Sequence, residues 1–516
     1  MNLFNEVSVR QKDANPSASR SMLWVVLTAL ALLWPALVNG GPFWFPDTGN
    51  YIRAADGGYV WLTGSPSEWS DRLITGEGGV IAAEAAGGGV ELNKEELEPT
   101  RPVLTGRSIY YGFLLYLPMR LFGPWGAVML QALLTSCILL WCAHIALRNS
   151  PAIRQAWLAG GLSALIFLTP LAYYTSMLMP DIYSGLLVLA LATAMAFWRK
   201  IDRREQVALL VIAAGLATFH TTHILIAAGM GMLGFLLYLP RRTAWRPPLI
   251  ALPVALAGVL SSIIFTFAVS EALETEPYSP PFLSARLTAA GPGTEFLARE
   301  CATDPNAWEL CDHQGQLSAW SDNFLWSEDP RNGVFQLASP DQQARMAAED
   351  KTFFLSVLAS DPVGLIGVSL ESFAKQLVYF GMENFNYADT FVALAPDNYP
   401  PAVARSVLQS RAANDAMPTQ FVTWASVLVT LASLTFVLAI FLRELMRGAL
   451  GLNDTRWRYV ALLLLGVLAN AAICGALSGP HARYQMRLIW LVPFCALLVA
   501  AFSGWKRSLS AAPERL

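Results

Sequence analysis

Apolar runs of nearly membrane-crossing length recur along most of these 516 residues. A bilayer needs about 20 consecutive apolar residues per helical crossing. The pattern predicts ten spans, at 22–40, 125–147, 155–174, 182–198, 206–219, 222–239, 248–270, 420–442, 458–476 and 488–504. No small-residue cleavage site follows the first, so it reads as a span rather than a signal peptide. Two long segments interrupt the rhythm, 41–124 and 271–419. The first closes on Arg107–Pro118, half apolar and aromatic, which predicts a helix lying in the interface. The second opens on Pro277, Pro280, Pro281 and Pro292, then shows helical periodicity over 341–359 and 362–382. Glu371 and Lys375 stand i, i+4 inside the latter run, which favours an amphipathic surface helix over a span. The expected fold is an all-α polytopic membrane protein in three parts: an N-terminal transmembrane module (1–270), an outer domain (271–419) and a C-terminal transmembrane module (420–516).

Composition supports the membrane reading, with 54% hydrophobic and only 14% charged residues against roughly 25% charged in globular chains. Charge placement orients the bundle. With the N-terminus inside, the inner segments hold 19 basic and 7 acidic residues and the remainder 16 and 31; +12 and −15 recover the overall −3. Short basic loops on one side are what the positive-inside rule describes. The expectation is a multi-pass plasma (inner) membrane protein with both termini cytoplasmic and the long segments outside. Cys137, Cys142, Cys474 and Cys495 lie in spans, where apolar packing is the default. Cys301 and Cys311 share the outer domain, where an oxidising compartment predicts a disulfide. No zinc spacing, P-loop, dinucleotide fingerprint or nucleophile elbow occurs, and no nucleic-acid partner is expected.

Four polar groups fall at the expected outer ends of spans. Asp47, in Phe43-Trp44-Phe45-Pro46-Asp47-Thr48-Gly49-Asn50-Tyr51-Ile52-Arg53, follows the first span. It fits a helix N-cap or a general base acting on an acceptor hydroxyl. Asp181 repeats the pattern after Pro180, as a cap or as a helper that orients the acceptor or holds a divalent cation. His220 and His223 fit either a phosphate or metal contact or ordinary interfacial packing. In the Ser478–Arg487 turn, which includes His481 and Tyr484, Arg483 and Arg487 are one helical turn apart. A guanidinium fork suits a phosphate; snorkelling to headgroups is the bland alternative.

In order and sidedness these elements resemble the GT-C superfamily of integral-membrane glycosyltransferases, of the type related to protein O-mannosyltransferases and aminoarabinose transferases. The matching positions are Asp47 with Tyr51, Ala54 and Ala55; Arg107 to Tyr110 before the juxtamembrane helix; Pro170 and Asp181; and Arg483-Tyr484. The resemblance covers most of 22–240 and the tail from 458, and the domain between Glu271 and Thr419 matches no part of it. It implies transfer of a sugar from a polyprenyl-phosphate donor to a glycan, lipid or protein acceptor on the outer face, with inversion. Asp47 and Asp181 would be catalytic, and Tyr51, Arg53, Arg107, Tyr110, His220, His223, His481, Arg483, Tyr484 and Arg487 would bind substrate. Asp47 lacks the adjacent second acid of the family pattern, which leaves a Mg or Mn cofactor open. The rival readings are a flippase or transporter of lipid-linked glycans and a glycan ligase or polymerase. A transporter should place ionisable groups near the bilayer midplane, and a ligase needs no carboxylate after the first span.

Overall fold

An apolar segment in lipid satisfies its backbone N–H and C=O groups within itself only as a helix. The computed structural model describes residues 18–64, 67–69, 106–148, 160–239, 247–273, 276–448 and 454–510, and it is helical nearly throughout. The acidic stretch Gly76–Glu98, the start of the third predicted span and the basic loops near Arg154 and Arg241 lie outside the described residues. Seven described helices are long and apolar enough to cross a membrane: Ser21–Asn39, Ile109–Leu147, Thr221–Tyr238, Pro247–Glu271, Thr419–Met446, Thr455–Leu477 and Ala482–Phe502. The number rises to eight if Pro340–Ser360 and Pro362–Val378, bent by 107° at their junction, are counted as one span.

The difference from the expected ten has local causes. The run 155–174 is broken at Thr169-Pro170 into Leu162–Leu168 and Leu171–Ser176, because proline has no N–H to continue the ladder. The runs 182–198 and 206–219 become the helices Asp181–Phe197 and Arg203–Ala217, of 17 and 15 residues, short of the roughly 20 that a crossing needs. The interfacial helix expected at 107–118 runs into the next span within Ile109–Leu147. A kink at Phe122 and Gly123 separates the two pieces, with φ 64° at Gly123, a conformation that suits glycine.

Asp181–Phe197 is the hub of the bundle. It is apolar on every face, and all its residues are buried, as such a helix must be. Ile109–Leu147, Arg203–Ala217, Thr221–Tyr238 and Thr455–Leu477 surround it. Residues 285–365 form a second apolar cluster around Phe296, Phe324, Phe335 and Phe353, in which Cys301 and Cys311 are joined by a disulfide with Cα atoms 5.5 Å apart. Met382, Phe385, Tyr399 and Val407 belong instead to the main bundle's cluster. Pro362–Val378 packs along Thr455–Leu477 through Ser372 and Gln376. Its outward Glu371 and Lys375 form the i, i+4 ion pair at 2.6 Å.

Candidate functional site

Two extended stretches bring the candidate acids together. Phe43 and Met177 form an isolated parallel bridge, with the Phe43 N–H donating to Ser176 O and the Leu178 N–H to Phe43 O, both at 2.9 Å. Each stretch continues for two residues, reaches Pro and then Asp: Pro46-Asp47 and Pro180-Asp181. The aspartates therefore stand in register, four residues past the bridge. The Thr48 hydroxyl ties the strands again by donating to Leu178 O at 3.0 Å. Gln131, the lone amide of its span, holds the second stretch from behind by donating to Thr175 O (2.8 Å) and Met177 O (2.7 Å).

The Asp47 carboxylate caps no helix. Asp47 occupies the N-cap position of Thr48–Thr63, but its side chain accepts no capping hydrogen bond. Oδ1 accepts instead from Arg107 Nη2 at 2.6 Å, in a pair about one-fifth exposed. Arg107 also lies 5.9 Å over the Trp326 ring. Asp181 takes a different partner set. Its carboxylate, 3% exposed, meets Arg487 Nη1 at 3.3 Å and Arg483 Nε at 3.6 Å. Arg483 and Arg487 share one face of Ala482–Ile489; Arg487 is buried and Arg483 is 14% exposed, and both turn inward to Asp181. Arg487 donates further to Asn470 Oδ1 at 2.9 Å. Arg483 stacks on Phe45 at 4.2 Å, Arg487 on Tyr484 at 5.0 Å.

Tyr51 lies among these groups. It is fully buried, and its hydroxyl has no partner among the described residues. Burial drives its phenol far above the usual range, with Arg107, Asp47, Asp181 and Arg483 all within electrostatic reach. Close packing at this point depends on Gly112, where a Cβ would stand 2.3 Å from Tyr51 O. Three further donors in the cluster are buried without partners: Arg107 Nε, Arg483 Nη1 and Arg487 Nε. Three arginines face two carboxylates, and that surplus of buried positive charge calls for an anion.

Other predicted residues are spent elsewhere. His223 uses both ring nitrogens internally, Nε2 with Ser184 Oγ and Nδ1 with Leu216 O, each at 2.8 Å. His220 caps Thr221–Tyr238, its Nδ1 accepting from the Thr222 N–H at 3.1 Å, and senses Arg107, Arg483 and Arg487 electrostatically. The two histidines thus fasten helix ends rather than form a shared ligand pair. Tyr110 donates to Ser261 O at 3.0 Å and leaves the cluster. Arg53 bonds Asn50 and the Asn398 carbonyl, beside a smaller cleft of about 250 Å³. His481 faces Asp322 at 3.8 Å. Among the described residues no three His, Cys, Asp or Glu side chains gather to hold a metal. With both aspartates engaged by arginines, the donor set does not fit a divalent cation.

Sequence reasoning passed over Asn470 and Gln131. A solitary amide in an apolar span signals a buried polar role, and both were visible on that ground. Trp326 carried no such signal. Compared with family models, curated proteins and solved structures, the chain matches none.

Proposed function

We propose that this protein is a membrane glycosyltransferase that moves a sugar from a polyprenyl-phosphate donor to a hydroxyl acceptor at the outer face of the plasma membrane. The observation that carries the reading is the cluster of three arginines and two aspartates, running from a rim at Asp47 to the buried Asp181, in which Arg107 Nε, Arg483 Nη1, Arg487 Nε and the Tyr51 hydroxyl are buried without partners among the described residues. A phosphate supplies the missing negative charge and enough acceptor oxygens for those donors. The cluster sits at helix ends, where a lipid-borne phosphate lies while its tail stays in the bilayer. The basic loops expected on the inner side support an outward position for that end.

In this reading the acceptor oxygen attacks the anomeric carbon from the face opposite the phosphate. The acceptor proton passes to Asp47 Oδ2, which accepts no hydrogen bond from the described residues, while Arg107 holds Oδ1. The bond from the anomeric carbon to the phosphate oxygen breaks, and its electron pair leaves on that oxygen. Arg483, Arg487 and neutral Tyr51 stabilise the charge as it develops. Asp181 holds both arginines in place. The anomeric centre inverts. A transporter is less well supported, since Asp181 and Arg483 stand at the first turns of their helices rather than midway along them.

The test uses the protein in lipid nanodiscs with a polyprenyl monophosphate and the matching polyprenyl alcohol. The phosphate should raise the melting temperature, and Arg483→Ala should abolish the rise. Equal effects of phosphate and alcohol would defeat the reading.

A further inference from the structure

A cavity of about 530 Å³ is bounded by the 285–365 segment, Pro362–Val378 and the turn Ser478-Gly479-Pro480-His481, which leads into Arg483. A volume of that size suits a ligand of two or three sugar rings. Its wall contains Arg286, 9% exposed. Arg286 Nε donates to Ala476 O, and Nη2 to Ser372 Oγ and Gly475 O. Nη1 has no hydrogen bond among the described residues, so one donor of a rigidly held guanidinium is left to the cavity. Trp320 stands at the cavity edge, 56% exposed, with the His481 ring 6.5 Å away. Glu371 and Lys375 add one carboxylate and one ammonium at the rim.

The cavity is mechanically joined to the arginine cluster. Gln376 clamps His481 through two bonds of 2.9 Å, its Nε2 donating to His481 O and its Oε1 accepting from the His481 N–H. Arg483 follows two residues later. The wall that closes the cavity is therefore the same turn that places Arg483 against Asp181.

We infer that this cavity is the acceptor subsite and that it takes a carbohydrate. An open indole face beside an imidazole offers a flat apolar platform to the C–H face of a sugar ring. The spare guanidinium N–H, the carboxylate and the ammonium address hydroxyls, which both donate and accept. The inference rests on the glycosyl-transfer reading but concerns a different ligand at a different place, so the two can fail separately.

An array of mono- to tetrasaccharides covering neutral, amino and uronic sugars is the probe, applied to the wild-type protein in phosphatidylcholine nanodiscs. At least one sugar class should be captured, and Trp320→Ala should weaken capture about tenfold, the loss expected for one stacked aromatic contact. Trp320 is half exposed, so the variant should fold, and its melting shift with polyprenyl monophosphate should remain. Lys375→Ala serves as a second variant and should also lower capture. No capture by the wild type, or capture unchanged in Trp320→Ala, overturns the inference. Displacement of the captured sugar by glycerophosphoethanolamine at equal concentration assigns the cavity to a lipid headgroup and overturns it as well. Loss of the polyprenyl phosphate shift with sugar capture intact would instead count against the donor reading alone.

Discussion

Asp47 and Asp181 begin as near twins. Each follows a proline, each opens a helix, and each stands four residues past the same bridge. Their surroundings then separate them. Asp47 lies at a rim with one arginine and side-chain exposure of 22%, whereas Asp181 is 3% exposed between the buried Arg487 and Arg483, itself 14% exposed. A carboxylate with an open oxygen and access to a second substrate can exchange protons. One enclosed by guanidinium groups is a fixed counter-charge. Under the proposed mechanism these two matching local signals carry different work, and their depth in the bundle is what separates them.

The sharpest break of that contrast is a pair of isosteric changes. Asp47→Asn should cut transfer by about 10²–10⁴-fold, the usual contribution of a positioned base. Its melting temperature should stay close to wild type, because partly exposed ion pairs contribute only about 0–1 kcal/mol. Asp181→Asn should do the opposite and destabilise the fold by about 3–5 kcal/mol, since it leaves the buried Arg487, and Arg483 beside it, without their counter-charge. Calorimetry and a transfer assay on both variants decide the matter; a stable Asp181→Asn or an active Asp47→Asn would reverse the assignment. Arg483→Lys comes next. It keeps the charge and loses the fork, so donor affinity should fall about tenfold at unchanged folded yield. Unaltered affinity would show that charge alone matters there.

The smallest effect concerns pH. Burial lowers the His481 pKa, opposed by Asp322. The folded protein therefore binds that proton less readily than the unfolded chain, whose histidine titrates near 6.5. Stability from this group is complete above about pH 6.5 and is lost as pH falls through that value towards the lowered one. The melting temperature should drop between pH 7.5 and 5.5, and His481→Gln should flatten part of the slope. An identical slope in the variant would show that His481 is not the source.

Much of the architecture was legible in the chain because lipid imposes a simple rule: an apolar run of sufficient length becomes a helix. The helical class, the Glu371–Lys375 pair and the proximity of Cys301 and Cys311 all depend on local spacing, which sequence displays directly. The same locality explains the errors. Pro170 splits a run that hydropathy alone treats as continuous, and His220 stands as the N-cap of Thr221–Tyr238 bonded to the adjacent Thr222, off the helical face, while His223 turns to Ser184 and Leu216.

What the sequence determined by itself was the repertoire: membrane helices, acids at helix starts, and arginines one turn apart on Ala482–Ile489. Tertiary structure alone decided which of these groups meet. Arg107 reaches Asp47 across 60 residues, and Arg487 reaches Asp181 across 306. No periodicity encodes such distances. The pairings follow from packing around the Asp181–Phe197 hub, from the Phe43–Met177 bridge and from the Gln131 amide that holds it. Burial then separates the two carboxylates, because a partly exposed acid keeps an oxygen open to other groups while one enclosed in a dry core must be paired.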